Sequence, residues 1–144
     1  MIEIQQITTS DTLYAQEKEL RNKILLRPLG IPDHAWEMHD EKSWHFVAVE
    51  DGKVIGCVIL VPLDGANTKT QLMQMAVDTN QQGKGIGKLL VKELLAFSHS
   101  MGIKEIACHA RDNAALFYKS LGFNIFGAPF EEVGIQHYHM RKEL

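Results

Sequence analysis

Cysteine is scarce in this chain. Cys57 and Cys108 are the only two among 144 residues, and both lie inside apolar runs typical of strands. Two cysteines cannot form a disulfide framework, and the chain has neither a CxxC pair nor a Cys/His spacing typical of zinc sites. We therefore predict two buried thiols in a reducing compartment, no metal site and no cysteine nucleophile.

A basic run and a long apolar run are also absent. The formal net charge is −3, and this balance argues against nucleic acid as the main partner. No apolar stretch approaches the roughly 20 residues that a membrane span requires, and no signal peptide opens the sequence. We therefore expect a cytoplasmic protein that binds neither nucleic acid nor membrane.

Repeats, linkers and low-complexity segments are absent as well, which predicts a single domain over residues 1–144. The hydrophobic fraction of 45% and the charged fraction of 23% are those of an ordinary globular protein. A chain of this length buries about two-thirds of its unfolded surface and needs neither disulfide nor metal to fold. The sequence is therefore long enough to form a core of its own.

Strand and helix periods alternate along the chain. Predicted strands cover residues 2–7, 44–49, 53–61, 71–78, 103–108, 123–126 and 135–140, and predicted helices follow Ser10 or Asp11, span 86–101, and run from Asp112 or Asn113 to Leu121. Asp51-Gly52 predicts a two-residue hairpin turn, and residues 33–40 are read as a short helix or an irregular segment. This order predicts an α/β fold with a mixed, mostly antiparallel sheet, flanking helices and one parallel strand pair.

The glycine-rich stretch Gln82–Gly87 connects a predicted strand to the longest predicted helix. Residues without a β-carbon allow consecutive amides to point into one concavity, and the helix N-terminus adds partial positive charge there. Lys84 and Lys88 add formal charge. The stretch predicts a pyrophosphate pocket, and the alternative is a tight connection without a ligand.

The spacing of these glycines excludes two common phosphate motifs. A P-loop requires G-x-x-x-x-G-K followed by Ser or Thr, and Leu89 supplies no hydroxyl for magnesium. The dinucleotide fingerprint G-x-G-x-x-G fails because Lys88 occupies its third glycine position. The pattern that fits is Q-x-x-G-x-G, formed by Gln82, Gly85 and Gly87.

This pattern resembles the acetyl-CoA pyrophosphate loop of the GNAT superfamily of N-acyltransferases. A second segment, residues 114–123, resembles the A-x-x-F/L-Y-x-x-L-G-F motif of the same superfamily. The resemblance covers nearly the whole chain and implies acetyl-CoA as co-substrate, with the two parallel strands splayed around its pantetheine arm. The positions that would contact the cofactor are Met75, Ala76, Val77, Gln82, Gly83, Lys84, Gly85, Ile86, Gly87 and Lys88.

The chain departs from the superfamily pattern at one position. Many similar enzymes carry Asn three residues before the alanine of the second motif, where it contacts the pantetheine, and this chain has Arg111 there. Asn113 is two residues out of register, so that role is not assigned to it.

A narrower likeness to the glyphosate N-acetyltransferase group rests on scattered positions, including the C-terminal His137-x-x-Met140. That resemblance implies His137 as the general base and Tyr118 as the acid that protonates the departing thiolate. It also implies that Arg27 and Arg111 hold anionic groups of the substrate. Met73 stands where that group has a third arginine, so one charge-assisted contact is missing.

The chemistry suits these residue types. An amine must lose a proton before it attacks a thioester, and histidine titrates nearest neutral pH. The amide of Met75 is a candidate donor to the oxyanion. Each residue has a plainer alternative: His137 as an ordinary strand residue, Tyr118 as core packing, Arg111 paired with Asp112 or Glu105, and Arg27 as a helix cap.

The resemblance therefore predicts an acetyl-CoA-dependent N-acetyltransferase acting by direct attack in a ternary complex. The acceptor would be the primary or secondary amine of a small, acidic, amino-acid-like molecule, and a homodimer is compatible with the family. Two alternatives stay open at this point. One is an acetyltransferase of peptide or protein amines, and the other is a non-catalytic CoA-binding sensor or interaction module.

Overall fold

A computed structural model describes residues 1–144 and contains one seven-stranded sheet. Its strands are β1 (Glu3–Ile7), β2 (Trp44–Glu50), β3 (Lys53–Pro62), β4 (Lys69–Val77), β5 (Glu105–Arg111), β6 (Asn124–Glu132) and β7 (Ile135–Glu143), and its α-helices are α1 (Tyr14–Arg21), α2 (Ile86–Ser100) and α3 (Ala115–Ser120). The strands lie in the order β1-β2-β3-β4-β5-β7-β6, and β4 and β5 form the parallel pair. The predicted mixed α/β class, mostly antiparallel with one parallel pair, is confirmed.

The hairpin between β2 and β3 forms as predicted. Asp51 and Gly52 both have positive φ, 51° and 75°, as the tightest two-residue hairpin turns require. Both strands run through the centre of the molecule, and most of their side chains are buried. The hairpin thus supplies two buried interior strands of the sheet.

Helix α2 packs its apolar stripe on the centre of the sheet. Ile86, Leu90 and Leu94 are almost completely buried within the larger hydrophobic core. The helix approaches β3 at Gly56, where an added Cβ would lie 3.0 Å from Ile86 Cγ2 and 3.1 Å from Leu90 Cδ1. A smaller core that includes Leu20 of α1 forms separately. The absence of a side chain at position 56 therefore fixes how closely α2 sits on the sheet.

The parallel pair is short. Pairing joins Lys69–Leu72 of β4 to Glu105–Cys108 of β5 and then stops. Beyond it β4 continues to Val77 and β5 to Arg111, and no strand lies between them. The two strands diverge as the resemblance implies, which leaves main-chain groups of β4 facing an open gap.

Several predicted boundaries shift. Strand β5 extends to Arg111, because the polar residues at its end pair with β7, and the last two strands are longer than predicted for the same reason. Neither Ser10 nor Asp11 is the N-cap of α1, since that position is Leu13. After α1 the chain continues as a π-helix (Asn22–Leu26) and a 3₁₀ turn (Arg27–Leu29).

Residues 33–39 form turns and irregular chain rather than a helix, and a 3₁₀ turn follows at Asp40–Lys42. None of the helices combines the length and apolar character needed to cross a membrane.

Candidate active site

The glycine-rich stretch forms a turn whose main-chain donors are free. Gly83 and Gly85 adopt positive φ, 81° and 79°. None of the six consecutive amides from Gly83 to Lys88 donates to an acceptor within the chain, and the first donor after them is Leu89, to the Gly85 carbonyl at 3.1 Å. Free amides at a helix N-terminus favour an anion. The amides of the turn are therefore not used by hydrogen bonds within the chain and are available to an anion.

Side chains hold this turn in place. Gln82 Nε2 donates to the Val77 carbonyl at 3.1 Å, which ties the turn to the end of β4. Lys84 Nζ donates to Gln81 Oε1 at 3.1 Å, and Lys84 and Lys88 are both exposed. The turn is thus anchored on one side and carries cations on its open side.

A β-bulge lies in β4 where the gap opens. Gln74 and Met75 together stand opposite Val58 of β3, and Gln74 has a φ of 57°. A bulge re-aims side chains and main-chain groups next to a site. The Gln74 Oε1 atom is buried without a hydrogen-bond partner, so the bulge has an acceptor that is available to a donor group of a ligand.

A cavity of about 340 Å³ occupies the gap and the space beside it. Its walls come from β4, β5, α3, the hairpin between β6 and β7, and the turns of residues 36–39. It is lined by Leu25, Trp36, Met38, His39, Gln71, Leu72, Met73, Gln74, Met75, His109, Ala110, Arg111, Ala114, Tyr118, Glu132, Val133 and His137. His137, Tyr118, Arg111, Met73 and Met75, five of the residues predicted for the site, therefore share one cavity.

His137 is buried at the cavity wall, with its side chain 6% exposed. Its Nδ1 lies 2.8 Å from the Ile135 carbonyl. A carbonyl only accepts, so Nδ1 carries the proton, and in the neutral ring Nε2 carries the lone pair. The hydrogen bond therefore orients the ring with Nε2 as the basic atom.

Tyr118 of α3 is also buried, between the rings of Phe117 and Phe123. Burial raises the pKa of its phenol well above the usual range. The phenol is therefore protonated at neutral pH and can donate.

The two predicted arginine clamps lie in different surroundings. Arg111 lines the cavity opposite His137 in the β5–β7 register, and no carboxylate of the chain pairs with it. Arg27 is exposed and pairs with Glu19 at 2.9 Å and Asp33 at 2.7 Å. The structure thus brings Arg111 to the cavity and leaves Arg27 outside it.

Glu132 and His109 are cavity residues that the sequence did not indicate. The predicted strand ended at residue 126, whereas β6 continues to Glu132. Phe130 pairs with His137, and Glu132 is two residues further along β6, so its side chain lies on the same sheet face as His137. His109 stands two residues before Arg111 on β5, on the face it shares with that arginine. Both residues lie beyond the predicted ends of β5 and β6, and longer predicted strands would have placed them on the face of His137.

Four buried charged residues, Glu17, Arg21, Asp40 and His45, form a cluster next to the cavity wall. Arg21 Nη1 lies 2.9 Å from Glu17 Oε2 and 2.9 Å from Asp40 Oδ2. His45 bonds Glu17 through Nδ1 at 2.9 Å and the Asp40 carbonyl through Nε2 at 2.8 Å. Both acceptors require N–H donors, so His45 is an imidazolium and the cluster is neutral overall.

This cluster also holds the main chain of the wall. Arg21 Nη2 donates to the Trp36 carbonyl at 2.6 Å, and the Trp36 side chain lines the cavity. The cluster therefore positions a wall residue without reaching the cavity itself.

Both cysteines are free and buried, as predicted. Burial raises the pKa of the Cys108 thiol to about 12, and burial likewise raises that of Cys57 well above its usual range. Neither thiol is therefore suited to act as a nucleophile at neutral pH.

Comparison with known sequences identifies the domain. A family model described as the acetyltransferase (GNAT) domain matches residues 31–144. Human N-acetyltransferase 8B is 33% identical over 97 residues, covering 63% of this chain and 43% of that protein. Human N-acetylaspartate synthetase is 38% identical over 89 residues, covering 60% of this chain and 29% of that protein. The chain thus spans less than half the length of these relatives.

Solved structures share the fold over the full length. The crystal structure of Escherichia coli ElaA matches with a TM-score of 0.88 and 20% identity, covering 99% of this chain and 100% of that one. A GNAT family acetyltransferase from Elizabethkingia anophelis with acetyl-CoA bound has a TM-score of 0.77 and 19% identity, covering 99% and 98%. The family model, the sheet with its splayed parallel pair and the free amides beneath the gap agree, and the chain belongs to the GNAT family of acetyltransferase domains.

Proposed function

We propose that this protein transfers the acetyl group of acetyl-CoA to the amine of a small acidic molecule by direct attack in a ternary complex. The observation that carries the proposal is the run of free amides from Gly83 to Lys88, which opens beside a cavity lined by His137 and Tyr118. The free amides suit a diphosphate, and the pair of His137 and Tyr118 suits proton transfer.

The cofactor would lie along the gap. The amides of Gly83 to Lys88 would hold the pyrophosphate, with charge from Lys84 and Lys88. Met75, Ala76 and Val77 at the diverging end of β4 would bond the pantetheine arm in the manner of a strand. The similar Elizabethkingia anophelis structure contains acetyl-CoA, which supports this co-substrate.

The chemical step would use His137 and Tyr118. His137 Nε2 would remove a proton from the amine, which attacks the thioester carbonyl and forms the C–N bond. When the tetrahedral intermediate collapses, the C–S bond breaks and the Tyr118 phenol protonates the thiolate. The amide of Met75, in the bulge of β4, is the proposed donor to the oxyanion.

Arg111 would select the acceptor. Arg111 is paired with His137 in the strand register and lines the same cavity, and no carboxylate of the chain forms an ion pair with it, so it favours an anionic group on the substrate. Met73 contributes no second cation and Arg27 lies elsewhere, which favours one anionic group rather than two. The similarity to N-acetylaspartate synthetase and the narrower likeness to the glyphosate N-acetyltransferase group both support an amino-acid-like acceptor.

The test is a thiol-release assay with amino acids, aminophosphonates, polyamines and peptides as acceptors. Arg111→Gln should raise KM for acidic amines about tenfold or more, because a hydrogen bond to a charged group contributes about 1.5–3 kcal/mol. Arg141→Gln is the matched control, since Arg141 lies on the same sheet and outside the cavity. His137→Ala should abolish the chemical step at saturating substrates.

Two results would favour other functions. A preference for peptides over acidic amines would indicate an acetyltransferase of protein or peptide amines. Stabilisation by acetyl-CoA in a thermal shift assay, without turnover of any acceptor, would indicate a CoA-binding sensor.

A further inference from the structure

The carboxylate of Glu132 stands next to the proposed base and takes no part in the mechanism above. Its Oε2 atom lies 3.4 Å from His109 Nδ1 and 3.8 Å from His137 Nε2. No lysine or arginine of the chain pairs with it. Glu132 therefore brings negative charge to the cavity in a place where histidines are its ionisable neighbours.

The two atoms that face each other across 3.8 Å are both acceptors. His137 uses its Nδ1 proton on the Ile135 carbonyl, so Nε2 has a lone pair, and the Glu132 carboxylate has no proton to donate. Two acceptors at this separation leave room for one donor atom about 2.9 Å from each, the ordinary length of an N–H hydrogen bond. An ammonium group has several N–H bonds on one nitrogen and fits that requirement.

The cavity lining contains one arginine and one glutamate and no other lysine, arginine, aspartate or glutamate. Arg111 is its cation, Glu132 is its anion, and both lie on the sheet face that carries His137. Trp36, Met38 and the methionines of β4 supply apolar surface between polar groups. Such a lining suits a molecule with one acidic group and one protonated amine on a short apolar body.

We propose that Glu132 binds the protonated amine of the acceptor beside His137, so that the site takes zwitterionic amines with a single acidic group. This inference rests on the proposed function. The ammonium loses two protons in the reaction. His137 Nε2 takes the first and releases it to solvent before attack, and it takes the second from the nitrogen after the C–N bond has formed. Tyr118 gives one proton to the thiolate and regains one from solvent, so the net release is one proton. The C–N bond forms and the C–S bond breaks, so atoms and charge balance.

The experiment compares two acceptors that differ in the charge on nitrogen. β-Alanine carries an ammonium, whereas aminooxyacetate has the same length and carboxylate but an uncharged nitrogen at neutral pH. Where a larger amino acid gives better turnover, that amino acid and its aminooxy counterpart replace the pair. Each acceptor is assayed with the unaltered protein, Glu132→Gln and Glu131→Gln at saturating acetyl-CoA.

Glu131→Gln is the matched control. It makes the same change of charge one residue away, and Glu131 pairs with Gln136 on the opposite face of the strand. Acetyl-CoA should raise the melting temperature of both variants equally, which shows that folding and cofactor binding are intact.

Glu132→Gln should lower kcat/KM for β-alanine about tenfold more than for aminooxyacetate, and Glu131→Gln should leave that ratio unchanged. The inference would be overturned if Glu132→Gln affected both acceptors equally, or if the two variants had equal effects. It would also be overturned if the unaltered protein preferred the uncharged nitrogen or acetylated only non-acidic amines. In each case the acetyltransferase assignment would stand. Failure of the unaltered protein to acetylate any acceptor would instead overturn the proposed function, and this inference with it.

Discussion

Replacing Arg21 by methionine removes the centre of the buried charge cluster. The guanidinium bonds Glu17, Asp40 and the Trp36 carbonyl, and its side chain is 3% exposed. Burial opposes the charged form, but the hydrogen bond and charge of Asp40 outweigh it and raise the pKa of Arg21. Methionine retains the apolar stem, so the change mainly removes charge and donors.

The loss should be large. After the substitution two carboxylates remain buried with one imidazolium, and breaking a buried ion pair from one side costs about 3–5 kcal/mol. A domain of this kind is stable by about 5–15 kcal/mol, so Arg21→Met should remove roughly a third of its free energy of unfolding.

Urea denaturation measures this difference, with Arg141→Met as the control. Arg141 is 46% exposed and lies 3.8 Å from Glu105, so its replacement should cost less than about 1 kcal/mol. Because Arg21 also holds the Trp36 carbonyl, acceptor KM should rise in the folded variant while acetyl-CoA stabilises it normally. A cost below about 1 kcal/mol for Arg21→Met, or one equal to that of Arg141→Met, would refute the reasoning.

Three further predictions concern pH and two glycines. Burial opposes the charge on His45, but the hydrogen bond with Glu17 outweighs burial and raises the pKa of the imidazole above its ordinary value. The stability that results is present below the ordinary pKa and is lost as pH rises through the folded pKa. Urea midpoints of the unaltered protein and His45→Gln should therefore converge on the alkaline side. Gly85→Ala should weaken stabilisation by acetyl-CoA in a thermal shift assay. A side chain at a φ of +79° costs about 1–2 kcal/mol, and relief of that strain requires the turn to leave the conformation that exposes its free amides. An undiminished shift would contradict this. Gly56→Ala should lower the free energy of unfolding by about 1–3 kcal/mol through overpacking against Ile86, whereas Gly65→Ala, where a Cβ meets nothing within 4 Å, should not.

Local signals in the sequence were enough for the central elements. The Asp51-Gly52 turn fixes the β2–β3 hairpin, and the glycines of 82–87 mark where β4 ends and α2 begins. These features depend on residues adjacent in the chain, so their physical cause is visible in the sequence. The strand–helix–strand order then determines the parallel pair.

The site depends on contacts between distant residues, and these were harder to predict. Arg27 and Arg111 are the same residue type, and only the strand register places Arg111 next to His137. His45 and Glu17 are 28 residues apart in the chain, so no local pattern pairs them. Strand ends rich in polar residues look like loops until their partner strand is known, which is why Glu132 was missed.

The short pairing between β4 and β5 has a consequence for cooperativity. Four residue pairs join β1–β4 to the antiparallel unit of β5, β7 and β6. Because few hydrogen bonds cross this boundary, the main link between the two units is the larger hydrophobic core, which contains Leu72 of β4 and Ile106 of β5. A molecule lying between them contacts both, so its binding energy couples their opening. Occupancy of the gap would then add to the link that the core provides and raise the free energy needed to separate the two units.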